Sequence, residues 1–175
     1  MTIEAAGPPA ATGHALSVSA VGEVVGSDGL AYDVADKDNL PTGVTAAGMV
    51  AYKSGSNGLV IALADETSTM DWDTANGASG AAAHTPAVSG YSWVLPSLNQ
   101  WNTMFSANGG DEYSCSGLDT ALATAGGEAL TNYGSYWTSS VVQEMAYCMM
   151  ASDGNAFFMA DNKSNTYRVR ACLAF

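Results

Sequence analysis

Basic residues are scarce. The 175-residue chain has five Lys and Arg against 17 Asp and Glu, a net charge of −12. Such a surface repels phosphate backbones and anionic bilayers, which argues against nucleic acid and membrane surfaces as partners. Histidine is nearly absent. His14 lies in an N-terminal stretch that reads as a tail. His84 lies in a small-residue loop with no acidic or cysteine neighbour at a ligand spacing. Both read as structural or solvated. The three cysteines, Cys115, Cys148 and Cys172, form an odd count without a CxxC spacing, which excludes a disulfide scaffold and a zinc site. No apolar run is long enough to span a bilayer. GxxxxGK(S/T), GxGxxG and GxSxG are all missing, so nothing in the sequence marks a phosphate cradle or a serine nucleophile.

What is present suits a folded, loop-rich domain. Hydrophobic residues make up 47% and charged residues 13%, outside the disordered range. Nineteen glycines imply many turns. Residues 1–20, rich in Ala, Gly, Pro and Ser, read as a flexible tail or linker remnant. They lack the basic-then-apolar pattern of an intact signal peptide. The domain is expected over 21–175. Val24-Val25 and Leu30 to Tyr32 flank Ser27-Asp28-Gly29 as a hairpin, and Val44 to Tyr52 with Leu59 to Ala64 form a second pair around a Gly-rich turn.

Two helices are predicted. Ser97, with Gln100 three residues on, has capping-box spacing before the stripe Leu98, Trp101, Phe105. Gly109-Gly110 ends that helix. Leu118, Ala121, Leu122 and Ala125 repeat the pattern before Gly126-Gly127. A third, weaker helix is expected over Asp71 to Ala83. From Ser135 the pattern turns to strands. Tyr147, Met149 and Ala151 alternate with Cys148, Met150 and Ser152, Asp153-Gly154-Asn155 makes a turn, and Val169 to Phe175 reads as a terminal apolar strand deep in a sheet. Early strands, middle helices and late strands make the fold α+β.

Candidate chemistry is thin. The carboxylate pairs Asp65-Glu66 and Asp71/Asp73 do not form a calcium loop, and the blander reading is helix N-terminal charge. Asp111-Glu112 reads as a solvated loop. Cys148 has no basic neighbour to make it a reactive thiol and reads as packed or variable. The expectation is a protein that is not an enzyme and holds no metal or cofactor.

The C-terminal part is the most specific. Tyr136-Trp137-Thr138-Ser139-Ser140 opens it, Ser152-Asp153-Gly154-Asn155 turns it, and Val169-Arg170-Ala171-Cys172-Leu173-Ala174-Phe175 closes it. Upstream stands Gly90-Tyr91-Ser92-Trp93-Val94-Leu95-Pro96-Ser97, followed by Trp101. Together these resemble the variable target proteins of diversity-generating retroelements, from about Val21 to the end. The resemblance implies a C-type lectin fold of the formylglycine-generating-enzyme kind, with a fixed scaffold presenting a changeable ligand-binding surface. It also implies display outside the cell, on a bacterial surface or a phage tail. The chain departs from calcium-dependent lectins, since Glu-Pro-Asn, Gln-Pro-Asp and Trp-Asn-Asp are missing. It departs from formylglycine-generating enzymes in the separation of its cysteines.

Apolar residues between those fixed ends mark the expected contact surface. It comprises Val141, Val142, Gln143, Glu144, Met145, Cys148, Met150, Phe157, Phe158, Ala160, Asp161 and Arg168, with Val142, Met145, Cys148, Met150, Phe157 and Phe158 expected on one accessible face. The partner is an unknown protein or surface ligand, without nucleic acid or direct membrane insertion. The alternative is an invariant structural or adhesin domain of a bacterial surface or pilus protein. An oxidase of the formylglycine-generating type ranks behind both.

Overall fold

The computed structural model describes residues 9–175. Short turns set the first hairpin. The Asp28 carboxylate accepts from the Leu30 amide at 3.2 Å and from the Tyr32 hydroxyl at 2.5 Å. These bonds lock β2 (Val24–Gly26) against β3 (Leu30–Tyr32). β4 (Ala46–Ser54) and β5 (Asn57–Ala62) form a longer hairpin. With β1 (His14–Ala15) and β9 (Cys172–Ala174) they make a six-stranded antiparallel sheet of order β1-β3-β2-β4-β5-β9.

The alternating residues of these strands separate into two apolar clusters. Val25, Val50 and Val60 pack with Trp93, Leu95 and Trp137. Val24, Met49 and Ile61 pack with Trp101, Phe105, Leu118 and Leu122. Both faces of the central strands are therefore dry, which is why they read as continuous apolar runs rather than alternating ones. The C-terminus closes over the β4–β5 turn. A Cβ on Gly58 would stand 2.4 Å from the Phe175 ring, so only glycine leaves room for it.

Three expectations are corrected. The domain starts before Val21: His14 and Ala15 pair with Ala31 and Leu30, and Leu16 is buried. Residues 1–8 of the expected tail lie outside the described residues. The helix expected over Asp71 to Ala83 is one short turn, α1 (Trp72–Ala75), followed by a 3₁₀ turn at Ala81–Ala83. Gly77 and Gly80 let the chain fold back between them, and a Cβ on Gly80 would meet the Ala75 carbonyl at 2.2 Å. The terminal strand is laddered only over Cys172–Ala174, at the end of the sheet, where Val94 bridges Cys172 from outside.

The two firm helices form as read. α2 (Leu98–Ala107) has both halves of its capping box, Gln100 N–H to Ser97 Oγ at 3.2 Å and Ser97 N–H to Gln100 Oε1 at 2.8 Å. α3 (Ser116–Thr124) buries Leu118 and Leu122. Both cover the inner side of a second, three-stranded antiparallel sheet: β6 (Gly134–Val142), β7 (Met145–Ser152) and β8 (Asn155–Asn162). The fold is α+β and loop-rich.

Candidate ligand-contact face

The three-stranded sheet is one continuous meander with two tight turns. Asp153 and Gly154 both have positive φ, 50° and 78°, as a two-residue type I′ hairpin turn requires. Gln143, at φ 53°, turns β6 into β7. Cross-strand partners share a face. The register puts Ser135, Met150 and Phe157 in one row of the outer face, with Trp137, Cys148 and Met159 in the next. Tyr136, Met149 and Phe158 form a row of the inner face, packed with α2 and α3.

The outer face is divided. One half is roofed by Tyr167, whose ring lies 4.6 Å from that of Trp137 and whose hydroxyl donates to Asp161. Under it Trp137 and Cys148 are wholly buried, and Trp137 Nε1 donates to the Met70 carbonyl at 2.9 Å. The other half is open. Phe157 is 45% and Met159 41% exposed, with Met150 half-buried beside them. The row through Ser135 runs on into a polar cleft of about 440 Å³, lined by Tyr133, Thr166, Tyr167 and Arg168 among others.

The expected surface is thus partly assembled and partly split. Met150 and Phe157 share the outer face as expected. Cys148 does not belong to an accessible surface. It lies under Tyr167, and burial first, then Asp161, pushes its thiol up to about 11. Phe158 is the chain neighbour of Phe157, so the two-residue period of a strand turns it inward against the helices. Met145 and Val142 pair with each other on the face opposite Ala146 and Cys148, so the six residues expected together stand on both sides of the sheet. Val141, Gln143, Glu144 and Met145 form an exposed hairpin tip, a second patch. Ala160 is half-buried. Asp161 is committed to Tyr167, Asn165 and its neighbour's amide, and those hydrogen bonds, Tyr167's first, hold its carboxyl below the usual range.

Arg168 and Arg170 mark the boundary with the core. Arg170 is fully buried. Its Nε donates to Asp65 at 2.6 Å, and Nη1 donates to the Ala62 and Glu128 carbonyls at 3.1 and 3.0 Å. Asp65 also accepts from the Tyr136 hydroxyl at 2.9 Å, with Arg168 Nη1 3.6 Å away at the cleft. The carboxylate pairs weighed from sequence are therefore used internally. Glu66 holds the buried His84 at 2.6 Å, and the His84 ring stands edge-on to Trp93. Asp71 caps α1 through the Thr74 amide at 2.8 Å. Among the described residues no three His, Cys, Asp or Glu side chains stand close enough to hold a metal ion. Nor is any helix there long and apolar enough to cross a membrane.

One site feature was missed. Tyr133 has φ 58°, and its hydroxyl donates to Asp153 at 2.7 Å, bracing the turn at 131–134 against the β7–β8 turn. No sequence signal marks that left-handed tyrosine.

No protein-family model and no curated protein matches the sequence. In three dimensions the chain is similar to a solved fimbrial protein from Bacteroides ovatus ATCC 8483, with a TM-score of 0.59 at 14% identity. The match covers 90% of this chain and 49% of that one, so the chain spans about half the length of the fimbrial protein. At that identity the likeness is one of fold.

Proposed function

We propose that this chain is a non-enzymatic domain of a bacterial surface or pilus assembly, displayed outside the cell, that meets its partner through the open half of the three-stranded sheet's outer face. The observation that carries the reading is the side-by-side exposure of Phe157 and Met159 on a sheet face whose neighbouring half is covered by Tyr167 and whose other face is covered by two helices. Exposed aromatic and Met side chains on a rigid support are what interface centres use. The shared fold with a fimbrial protein supports the location. The partner is a protein or other surface ligand; the charge of −12 disfavours nucleic acid and membrane insertion.

Two measurements test this. Antibody to the domain should label intact cells that produce it. Beads coated with the domain should adhere to a target cell layer, and Phe157→Ser with Met159→Ser should abolish adhesion without shifting the melt. Labelling confined to permeabilised cells, or adhesion indifferent to both substitutions, overturns the reading.

A finer reading has its own support. The motif residues that resemble diversity-generating retroelement targets are framework: Trp93, Leu95, Trp137, Arg170 and Leu173 are all buried. The residues between the last two motifs supply both exposed patches. We infer a C-type lectin fold whose codons over 141–168 are diversified. Sequencing the gene's surroundings tests it. A near-copy of the 3′ end differing mainly at adenines, beside a reverse transcriptase gene, is expected; a locus with neither leaves an invariant adhesin domain.

A further inference from the structure

The polar cleft beside the open half of the sheet face is walled by three stretches of chain: residue 69, residues 131–135 and residues 166–168. Backbone hydrogen bonds lace them together. The Arg168 amide donates to the Ser135 carbonyl at 2.9 Å, and the Arg168 carbonyl accepts from the Trp137 amide at 3.0 Å. Tyr167 and Met70 exchange bonds at 3.0 and 2.9 Å. Gly134 makes room for the arginine stem: a Cβ there would stand 3.3 Å from Arg168 Cδ and 2.7 Å from the Thr131 carbonyl oxygen. The cleft is therefore shaped before any ligand arrives, which lowers the ordering cost of binding.

Its polar side chains fall into two groups. One group is used by the scaffold. The Tyr133 hydroxyl donates to Asp153 at 2.7 Å, the Tyr167 hydroxyl donates to Asp161, and Asn132 is taken up by Asp153 and the Tyr133 amide. What the two tyrosines have left to offer is ring surface. The other group has no internal use. Among the described residues, the hydroxyls of Thr69, Thr131, Ser135 and Thr166 make no hydrogen bond, and neither does the Arg168 guanidinium. Its Nη1 is 3.6 Å from Asp65, too far for one.

Asp65 is already held by the buried Arg170 at 2.6 Å. Two cations against one carboxylate leave a positive surplus at Arg168. A guanidinium with its donors unused takes a carboxylate or a phosphate in fork geometry. The choice between them falls to charge. A phosphate monoester carries about −1.5 to −2, more than one surplus guanidinium balances, and Asp153, Asp161 and the overall −12 all oppose the excess. A single carboxylate matches. The four idle hydroxyls suit a ligand that carries hydroxyls of its own, and the cleft of about 440 Å³ has the size of a small-molecule site.

We propose that this cleft binds a sugar bearing one carboxylate, of the uronic acid class, with Arg168 on the carboxylate, the Thr and Ser hydroxyls on the ring hydroxyls and the tyrosine rings against the sugar's C–H face. The site adjoins the apolar contact face through Ser135 and does not rest on it.

Titration of the protein with glucuronate, followed by amide NMR shifts, reads this directly. Glucuronate should saturate with a Kd on the order of 1 mM and move the amides of 131–135 and 166–168. Glucose, without the carboxylate, acetate, without the hydroxyls, and inorganic phosphate should each bind at least tenfold more weakly. Added salt should weaken glucuronate binding by screening the arginine. Arg168→Gln should keep its melt, because Asp65 retains Arg170, and should weaken glucuronate at least tenfold. If that variant does not fold, Thr166→Val decides: the residue is exposed and its hydroxyl has no internal partner, so the fold should be untouched and the affinity should fall roughly threefold or more, the loss of one net hydrogen bond. Phe157→Ser with Met159→Ser should bind glucuronate as the wild type does. No saturation, equal binding of glucose or acetate, a preference for phosphate, a folded Arg168→Gln with unchanged affinity, or an equal loss in the Phe157 and Met159 variant overturns the proposal.

Discussion

The two halves of one sheet face have opposite fates. Trp137 and Cys148 lie under Tyr167 with no exposure, while Phe157, one row away, is nearly half exposed. Composition does not separate them, since both halves are aromatic plus sulfur-bearing. What separates them is a roof supplied from outside the sheet. The Tyr167 backbone bridges Met70, and its hydroxyl is held by Asp161 on β8. An apolar residue on a strand is core or contact according to what the rest of the chain lays over it, and local sequence does not say which.

That contrast can be broken most severely from the roofed side. Trp137→Ala should cost about 3–5 kcal/mol, the usual range for emptying a buried tryptophan site, read as a fall in denaturation midpoint. An unchanged midpoint would mean the indole is not a core anchor. Asp65→Ala should cost a similar ~3–5 kcal/mol by leaving buried Arg170 without its carboxylate. The double change with Arg170→Met should recover part of that loss, because the stranded charge is then gone. Cys148→Asn puts a polar group where the thiol is dry and should cost about 1–3 kcal/mol, whereas Met159→Asn in the same cross-strand row should change stability by less than about 0.5 kcal/mol. Equal costs for these two would erase the distinction between the halves.

The smallest effect is pH. The folded Asp161 carboxyl lies below its ordinary 3.8, mainly because Tyr167 donates to it. The stability it contributes is present above 3.8 and lost as pH falls through the lower folded value. The melt should be flat with respect to this group from neutrality down to about pH 5, then decline, and Asp161→Asn should shallow that decline. An identical acid slope in the variant would remove Asp161 as a pin of the roof.

Much of the framework was legible because its signals are local. Ser97 and Gln100 cap α2 as their spacing requires, and the Gly-rich turn joins β4 and β5. Arg170, a cation inside an otherwise apolar run, is held by a carboxylate and two backbone carbonyls. The contact surface was legible only in part. Alternation around Cys148 picks out the correct outer row, yet the roof over it is Tyr167, in the loop after β8, held in place by Met70, far away in the chain. Phe157 and Phe158 were read together because both are large and apolar, when the strand period separates them. The expected third helix failed at Gly77 and Gly80, where the chain reverses.

The buried thiols have a practical corollary. Burial pushes Cys115 and Cys148 up to about 11 and Cys172 to about 12, so at neutral pH almost no thiolate is available to react. Each cysteine sits in a different place: beside α3, under the Tyr167 roof, and in the last strand of the large sheet. An alkylating reagent added to the intact protein would therefore time three separate openings, one for each region. The order in which the thiols are consumed is a map of which part of the domain loosens first.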